Sequence, residues 1–478
     1  TTLGRLEGGA AKTIDAGDQV VSPGFIDLHT HSDLSFLLDP TAQSKVRQGV
    51  TLELAGNCGS SFCAPLQGAA AEMLRTRVSQ YTEMFEPTWT DFGGYLDAVA
   101  RARPTLNLAV QVGHGTVRAA VMGMDARAAS GDEVERMKAL VNECLDAGAM
   151  GFSTGLFYAP GNYARLEEVI ELAAGAAARG KLYSTHMRDE GSHSVGLFVA
   201  LNEAIEIGRR TGIRVQISHV KCSGPAVWGR AGDVLELFER TRREGIDLAG
   251  DQYPYTAAST SLTGALFPRW ALEGGREATL QRLAHAAERQ RLRADVATMF
   301  TKWSTPEGVV IARFVPDPSL EGKNMGQIAE TLHCDPAEAT LRLYERGEAS
   351  VIAHAMQEAD VETIARDPWV AVGSDGSSLS ASGLLSVGKP HPRSYGTNPR
   401  YLARFVRQRQ LVSLPEAVRK MTLLPATRLG LTGGDALRRG SPPTWWCSTR
   451  QRSPIPPRLR RHTAIRPVSR MLSSTAWW

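Results

Sequence analysis

The sequence predicts a (β/α)₈ barrel of the α/β class, and three observations lead there. Between Pro23 and about Met421 eight short apolar runs stand out: "FIDLHTH", "TLELAG", "NLAVQVGH", "MGFSTGL", "KLYSTHM", "RVQISHV", "DLAGDQYPY" and "WVAVGSDG". Longer segments with helical spacing separate them, as in βα units around a parallel sheet, and eight such units close a barrel. Histidine, cysteine and aspartate fall at the C-terminal ends of the runs, the end at which this architecture collects its chemistry.

The helical segments carry their own signals. "GDEVERMKALVNECLDAGA" and "LEEVIELAAGAAARG" repeat apolar residues at helical spacing and end in small residues with glycine nearby. Between "DQYPY" and "WVAVGSDG" the chain is too long for one connection, so roughly Leu266 to Ala353 is expected to form an insertion or lid near the barrel mouth. No internal repeat of solenoid length is visible.

Composition narrows the function classes. No stretch approaches the roughly 20 apolar residues needed to cross a bilayer, and the start "TTLGRLEGGAAKTIDAG" lacks a basic-then-apolar signal pattern. A soluble, cytoplasmic protein is expected. Six cysteines in 478 residues are too thinly spread for a disulfide-stapled secreted domain, so reduced thiols are expected. The formal charge of +4 invites a nucleic-acid reading, but nine arginines and no acid follow Asp435, leaving 45 basic against 50 acidic residues up to and including it. That body is net acidic with no basic stripe, so neither a nucleic-acid nor a membrane partner is expected, only a small-molecule substrate.

The last segment reads differently from the rest. It holds six prolines and four of the nine tryptophans without helical or strand periodicity. Codons for Pro443 to Thr449 can be chosen so that a start one nucleotide earlier gives "ADLVVFD", and the same shift over Ile465 to Trp478 can give "PAGIEDVVVNGVV". Both hidden strings pattern as strands, the second with an Asn-Gly hairpin turn. A frameshift near Ser441 is therefore expected, with 441–478 an aberrant, disordered tail; an unbroken frame on resequencing would remove the idea.

Candidate site residues follow from the barrel. His29 and His31 are two apart, so in a strand they face one side and can share an ion. Cys58 follows the second run, His186 ends the fifth, His219 ends the sixth and Asp375 ends the eighth. Singly each has a plainer reading: a core or surface histidine, a buried small thiol, a turn aspartate. Together at one barrel mouth they read as a metal site. Thiolate with imidazole selects zinc over magnesium or calcium, which prefer oxygen shells.

At this point the sequence resembles the amidohydrolase superfamily and, within it, the N-acyl-D-amino-acid deacylases (D-aminoacylases). "PGFIDLHTHSD", "GNCG", "STGLFYAPGNYA", "STHMRDEG", "ISHVK", "DQYPYTAAST", "GSDG" and "HPRSYGTNPR" look like that family's blocks in order, over about Ile14 to Gly434. "PGFIDLHTH" marks only the superfamily; "GNCG" with "STGLFY" and "HPRSYGT" is more specific. The resemblance implies a tight Zn2+ held by Cys58, His186 and His219, and a second, weaker or empty position at His29, His31 and Asp375. "MGFSTGLFY" offers no fourth-strand lysine to bridge two metals, so Cys58 takes the bridging place. Substrate-binding roles would fall on Lys221, Arg393 and a tyrosine of "DQYPY" (Tyr253 or Tyr255), with Tyr158 lining the pocket. Asp375 would be the catalytic general base and acid. Independently, Lys221 and Arg393 supply positive charge for a carboxylate, Arg in bidentate fashion.

The resemblance also frames the domains. Residues 1–22 and 425–440 would be remnants of a small β-sandwich that cannot close, flanking the barrel at 23–424; exposed edges there should cost stability. "SSLSASGLLSVGKP" after "GSDG" looks long for the family, which bears on substrate choice. The resulting expectation is hydrolysis of N-acyl-D-amino acids to a carboxylate and a free D-amino acid. Two other readings are cyclic-amide opening of the dihydroorotase or hydantoin type, and an inactive truncated chain.

Overall fold

The structure is a computed structural model that describes residues 16–17, 19–79, 81 and 86–431 and the backbone of 445–449. All eight apolar runs form parallel strands: Phe25–Asp27, Val50–Ala55, Asn107–Val110 continued by Val112–Gly113, Gly151–Gly155, Leu182–His186, Arg214–Ile217, Leu248–Gln252 and Val370–Val372. Each pairs in parallel with its successor, the third changing partners at Gln111. A parallel bridge between Thr30 and Gly376 joins the first strand to the eighth, so the sheet closes. This is the (β/α)₈ barrel the run count requires, and it puts every strand's C-terminal end at one mouth.

The helices lie outside, and the two segments with clear periodicity take the expected form. Gly131–Asp146 starts at a capping box made by Ser130 and Glu133 and buries Met137, Val141, Cys144 and Leu145. Reciprocal caps of this kind satisfy two orphan N–H groups at once. Leu166–Ala178 buries Val169, Ile170, Leu172, Ala173 and Ala176 against the same layer.

The insertion is a folded unit. Ala257–Ser261, Ser350–His354 and Val309–Arg313 form an antiparallel sheet with Ser350–His354 in the centre. Helices Gly275–Ala284, Ala286–Lys302 and Pro336–Arg346 pack on it around Leu292, Val296, Ile311, Phe314, Leu341 and Val351. It thus begins at Ala257, earlier than the Leu266 expected from spacing, because its first strand follows "DQYPY" after a single residue, Thr256. Hydrogen bonds fasten it over the mouth: Tyr158 Oη to Thr260 Oγ1 at 2.9 Å, Trp303 Nε1 to Ser223 Oγ at 2.6 Å and Arg393 Nη2 to Ser259 O at 3.1 Å.

Two boundary expectations need correction. The barrel continues past 424: helix Leu423–Leu429 buries Leu424, Ala426 and Leu429 against Ile26, Leu28 and Leu54, so 425–431 belong to the barrel floor. Trp445–Thr449, inside the segment expected to be disordered, is a strand pairing antiparallel with Gln19–Pro23. The remainder of the segments assigned to 1–22, 425–440 and 441–478 lies largely outside the described residues.

Candidate active site

The loop "GNCG" leaves the second strand in a conformation few residues tolerate. Gly56 and Gly59 have φ of 73° and 70°, and a Cβ on Gly56 would meet Gln111 O at 2.2 Å. Glycine is the residue that can take such a path. Asn57 pins the turn, its Nδ2 donating to Leu54 O at 2.8 Å and its Oδ1 accepting from Gln111 Nε2 at 3.0 Å. Between them Cys58 is itself held at φ 55°, and His219 and Asp375 also have positive φ, 36° and 52°. Three non-glycine residues from three strand ends share this unfavourable region and meet in one cluster. Backbone strain of about 1–3 kcal/mol each persists where the surroundings over-determine it, typically at functional sites.

The cluster is compact and buried. His29 Nε2 lies 3.3 Å from Cys58 Sγ, which lies 3.5 Å from His219 Nε2. Asp375 Oδ1 is 3.4 Å from His29 Nε2 and 3.0 Å from His31 Nε2. Donor atoms of His29, Cys58, His219 and Asp375 all fall within 4.8 Å of one another, and so do those of His186, Glu190 and His219. His186 is buried yet neither ring nitrogen makes a hydrogen bond, while Nε2 sits 3.5 Å from Glu190 Oε2. A buried imidazole without a hydrogen bond, beside a thiol and carboxylates, suits a divalent-ion site.

The electrostatics favour lone pairs at this point. Burial would push the Cys58 thiol up, but His29 and His219 outweigh it and hold it well below the ordinary thiol range. Burial likewise raises Asp375, yet Arg393, His219 and His29 keep its carboxyl well below the usual carboxylate range. For His219, burial and Lys221 act downward, and Glu190, Asp375 and Cys58 overcome them to raise it to about 9. A thiolate and carboxylates among imidazoles compete for protons and for metal with the same lone pairs. Thiolate plus imidazole is a zinc donor set.

Two residues of the inner cluster went unnoticed in the sequence. Asp251 Oδ1 binds His29 Nδ1 at 3.0 Å and accepts from His219 N at 2.8 Å, aiming His29 Nε2 at Cys58 and Asp375. Carboxylates that orient metal-facing imidazoles in this way are common. Glu190 Oε1 lies 2.8 Å from His219 Nδ1 and 2.6 Å from Lys221 Nζ. Both were readable in principle, Asp251 opening "DQYPY" at a strand end and Glu190 four residues after His186 in "STHMRDEG".

Of the expected substrate contacts, four reach the cavity of about 370 Å³ over the cluster: Tyr158, Lys221, Tyr253 and Arg393. Lys221 Nζ and Arg393 Cζ lie 5.8 Å and 5.0 Å from the centre of the Tyr253 ring, whose buried hydroxyl has no hydrogen-bond partner. Arg393 Nη1 also donates to Asp375 Oδ2 at 2.6 Å. Tyr255 is a correction: its ring packs against His391 and under the Arg400 guanidinium, and its hydroxyl turns to Pro392 O, away from the cavity. Adjacent strand positions point to opposite faces at alternate residues, but past the strand end the proline in "DQYPY" breaks that register. "SSLSASGLLSVGKP" contributes Leu379, Val387 and Pro390 to the wall.

Glu348, on the insertion, also lines this cavity, accepting from Thr263 N and Oγ1 at 3.2 and 3.1 Å. Burial raises it from 4.5 to about 7. Across that window the folded protein holds a proton that the unfolded chain has released, so stability falls as pH rises from 4.5 to 7. Glu348→Gln should remove this loss, worth about 3 kcal/mol at roughly 1.4 kcal/mol per pH unit. Thermal unfolding of both proteins near pH 5 and pH 8 checks it; an unchanged gap between them at the two pH values would refute the assignment.

A closed (β/α)₈ barrel with thiol, imidazole and carboxylate groups gathered at its C-terminal mouth defines the class of barrel hydrolases with metal-binding character, and comparison with known proteins agrees. The family model described as Amidohydrolase family matches residues 12–441. An N-acyl-D-glutamate deacylase and a D-aminoacylase from Alcaligenes xylosoxydans xylosoxydans are 36% and 35% identical, over 90% and 92% of this chain and 78% and 80% of theirs. A crystal structure of N-acyl-D-glutamate deacylase from Bordetella bronchiseptica, complexed with zinc and a phosphonate mimic of the tetrahedral intermediate, superposes with a TM-score of 0.73. It is 35% identical and covers 89% of this chain and 79% of that one. The chain belongs to the amidohydrolase family, in its D-aminoacylase branch.

Proposed function

We propose that this protein hydrolyses the amide bond of N-acyl-D-amino acids, releasing a carboxylate and a free D-amino acid, with zinc at the mouth cluster. Cys58, His186 and His219 would hold the tighter ion, and His29, His31 and Asp375 a second. Zinc would supply Lewis acidity toward the acyl carbonyl and lower the pKa of water toward about 7. The observation that carries the substrate class is the cradle of Lys221, Arg393 and the unpartnered Tyr253 hydroxyl beside that cluster. Two cations beside one phenol, Lys221 Nζ 5.8 Å and Arg393 Cζ 5.0 Å from its ring centre, suit the α-carboxylate of an amino acid.

The chain's own groups account for positioning and proton transfer. The cradle grips the carboxylate so that the adjacent amide lies over Cys58 and His219. Asp375 Oδ1 faces the reacting centre while Arg393 holds Oδ2. Kept ionised by Arg393, this carboxyl takes the proton of the attacking water and passes it to the departing nitrogen, an otherwise poor leaving group. Tyr158, whose ring centre is 4.8 Å from that of His186, lines the cavity beside the cluster.

The named relatives, an N-acyl-D-glutamate deacylase and a D-aminoacylase, support the reaction class. Five described cysteines are free thiols, which supports a reducing, cytoplasmic setting. No helix among the described residues is long and apolar enough to cross a membrane. The test is turnover of N-acetyl-D- and N-acetyl-L-leucine before and after exhaustive chelation. Cleavage of the D form alone, lost on chelation and restored by zinc, is expected. Equal cleavage of both enantiomers, or activity indifferent to chelation, would overturn the proposal.

A further inference from the structure

A second cavity of about 1170 Å³ opens off the catalytic one, between the insertion and helix Gly68–Ser79. The two share a neck formed by Phe62, Met73, Phe157, Tyr158, His193 and Glu348. Beyond it the wall is mainly apolar: Met124, Phe267, Leu272, Leu280, Met299 and Tyr344. Several of the charged groups around it are held by the protein itself, while Arg77, which lines both cavities, and Glu277 and Lys302 line it as well. Arg269 donates to Arg188 O and Ser194 Oγ, Arg276 to Tyr344 O, and Asp295 accepts from Trp270 Nε1. At the neck His193 is held by Asp189, Nδ1 to Oδ1 at 3.2 Å, and its buried Nε2 has no partner. The volume slightly exceeds that of ordinary small-molecule sites and is far more than an acetyl group fills.

Barrel topology says which part of the substrate reaches this chamber. Lys221, Tyr253 and Arg393 stand after the sixth, seventh and eighth strands, whereas Phe62 stands after the second and Phe157 and Tyr158 after the fourth. In a closed ring of eight those groups lie on opposite sides of the mouth. An amide centred over Cys58 and His219, with its carboxylate in the cradle, points its acyl group across the mouth to the neck. The amino-acid side chain branches on the cradle side, where Leu379, Val387 and Pro390 already provide a wall.

We infer that the chamber is an acyl-binding site and that the substrates of this protein carry a long or bulky apolar acyl group, of about six to ten carbons, on the D-amino acid. The inference rests on the deacylase reading above and deepens it. Moving apolar chain from water into such a chamber gains at most about fourfold per methylene, equivalent to ~0.8 kcal/mol. Incomplete burial lowers that figure.

The experiment uses the zinc-loaded full chain and an N-acyl-D-leucine series from acetyl through octanoyl, beside an N-acetyl series with varied D side chains. We expect kcat/KM for octanoyl to exceed that for acetyl by at least about tenfold. Met299→Trp and Leu272→Trp, which fill the chamber, should lower the octanoyl-to-acetyl ratio by at least about tenfold. A flat acyl series, or variants that shift side-chain preference and leave the acyl ratio alone, would overturn the inference while the deacylase reading stands. Competitive binding of the acids acetate through octanoate to the unmutated holoenzyme provides a readout independent of turnover and of variant folding. Affinity rising with chain length is expected; affinity independent of length refutes the chamber assignment, even if no N-acyl-D-amino acid is turned over and the deacylase reading fails.

Discussion

Replacing Cys58 with alanine is expected to remove most of the bound zinc and to lower activity by two orders of magnitude or more. The thiol is the hub of the cluster, 3.3 Å from His29 Nε2 and 3.5 Å from His219 Nε2. The nearest acids already have cationic partners, Asp375 in Arg393 and Glu190 in Lys221, and neither replaces a thiolate. Changes to groups that merely orient metal ligands cost about 10–100-fold in affinity or activity, so losing a central anionic donor should exceed that. The backbone argues for specificity: at φ 55° between Gly56 and Gly59, position 58 holds a strained residue that an inert core thiol would not require. Metal content per chain and kcat/KM, measured with circular dichroism as a folding control, decide the matter. A folded Cys58→Ala protein with full zinc and full turnover would show that this cysteine is packing alone.

Asp375→Asn should reduce kcat by roughly 10²–10⁴-fold, the range that a positioned general base contributes. Asparagine keeps the shape and can still meet His31 and Arg393, but it accepts no proton from water. The carboxylate also belongs to the four-residue donor cluster, so its two roles must be separated. If Asp375 acts chiefly as a proton carrier, added zinc leaves the variant slow; if it acts only as a ligand, a rise in zinc concentration restores the rate. Because Arg393 is 5% exposed and loses a charged partner, a fall in thermal stability is expected as well. Normal turnover in a zinc-replete Asp375→Asn protein would remove the base from the mechanism.

Much of the architecture was legible before any coordinates, and the reason is physical. Apolar runs of strand length and amphipathic segments that end near glycine are local features, and eight such runs separated by helical segments leave few topologies open. "GNCG" by itself read as a buried core thiol; it gained meaning from its place among histidines and an aspartate at the strand ends and from the order of the family's blocks. Boundaries were less legible. Helix Leu423–Leu429 resembles an appendage until its burial on the barrel floor is seen, and strand Ala257–Ser261 is too polar to signal a sheet edge.

What remained hidden depends on side-chain direction and on contacts between distant segments. Asp251 and Glu190 are ordinary acids in sequence; they matter because separate barrel strands bring them to His29 and His219. Tyr253 and Tyr255 are two residues apart and chemically alike, yet one faces the cradle and the other packs against His391. The run order and residue chemistry thus carried the barrel, its mouth and the donor types, because these follow from periodicity along the chain. Which acids orient the histidines, which tyrosine faces the ligand and how large a chamber adjoins the site followed from long-range packing, where rotamers and the seating of the insertion are chosen by neighbours that no local pattern encodes.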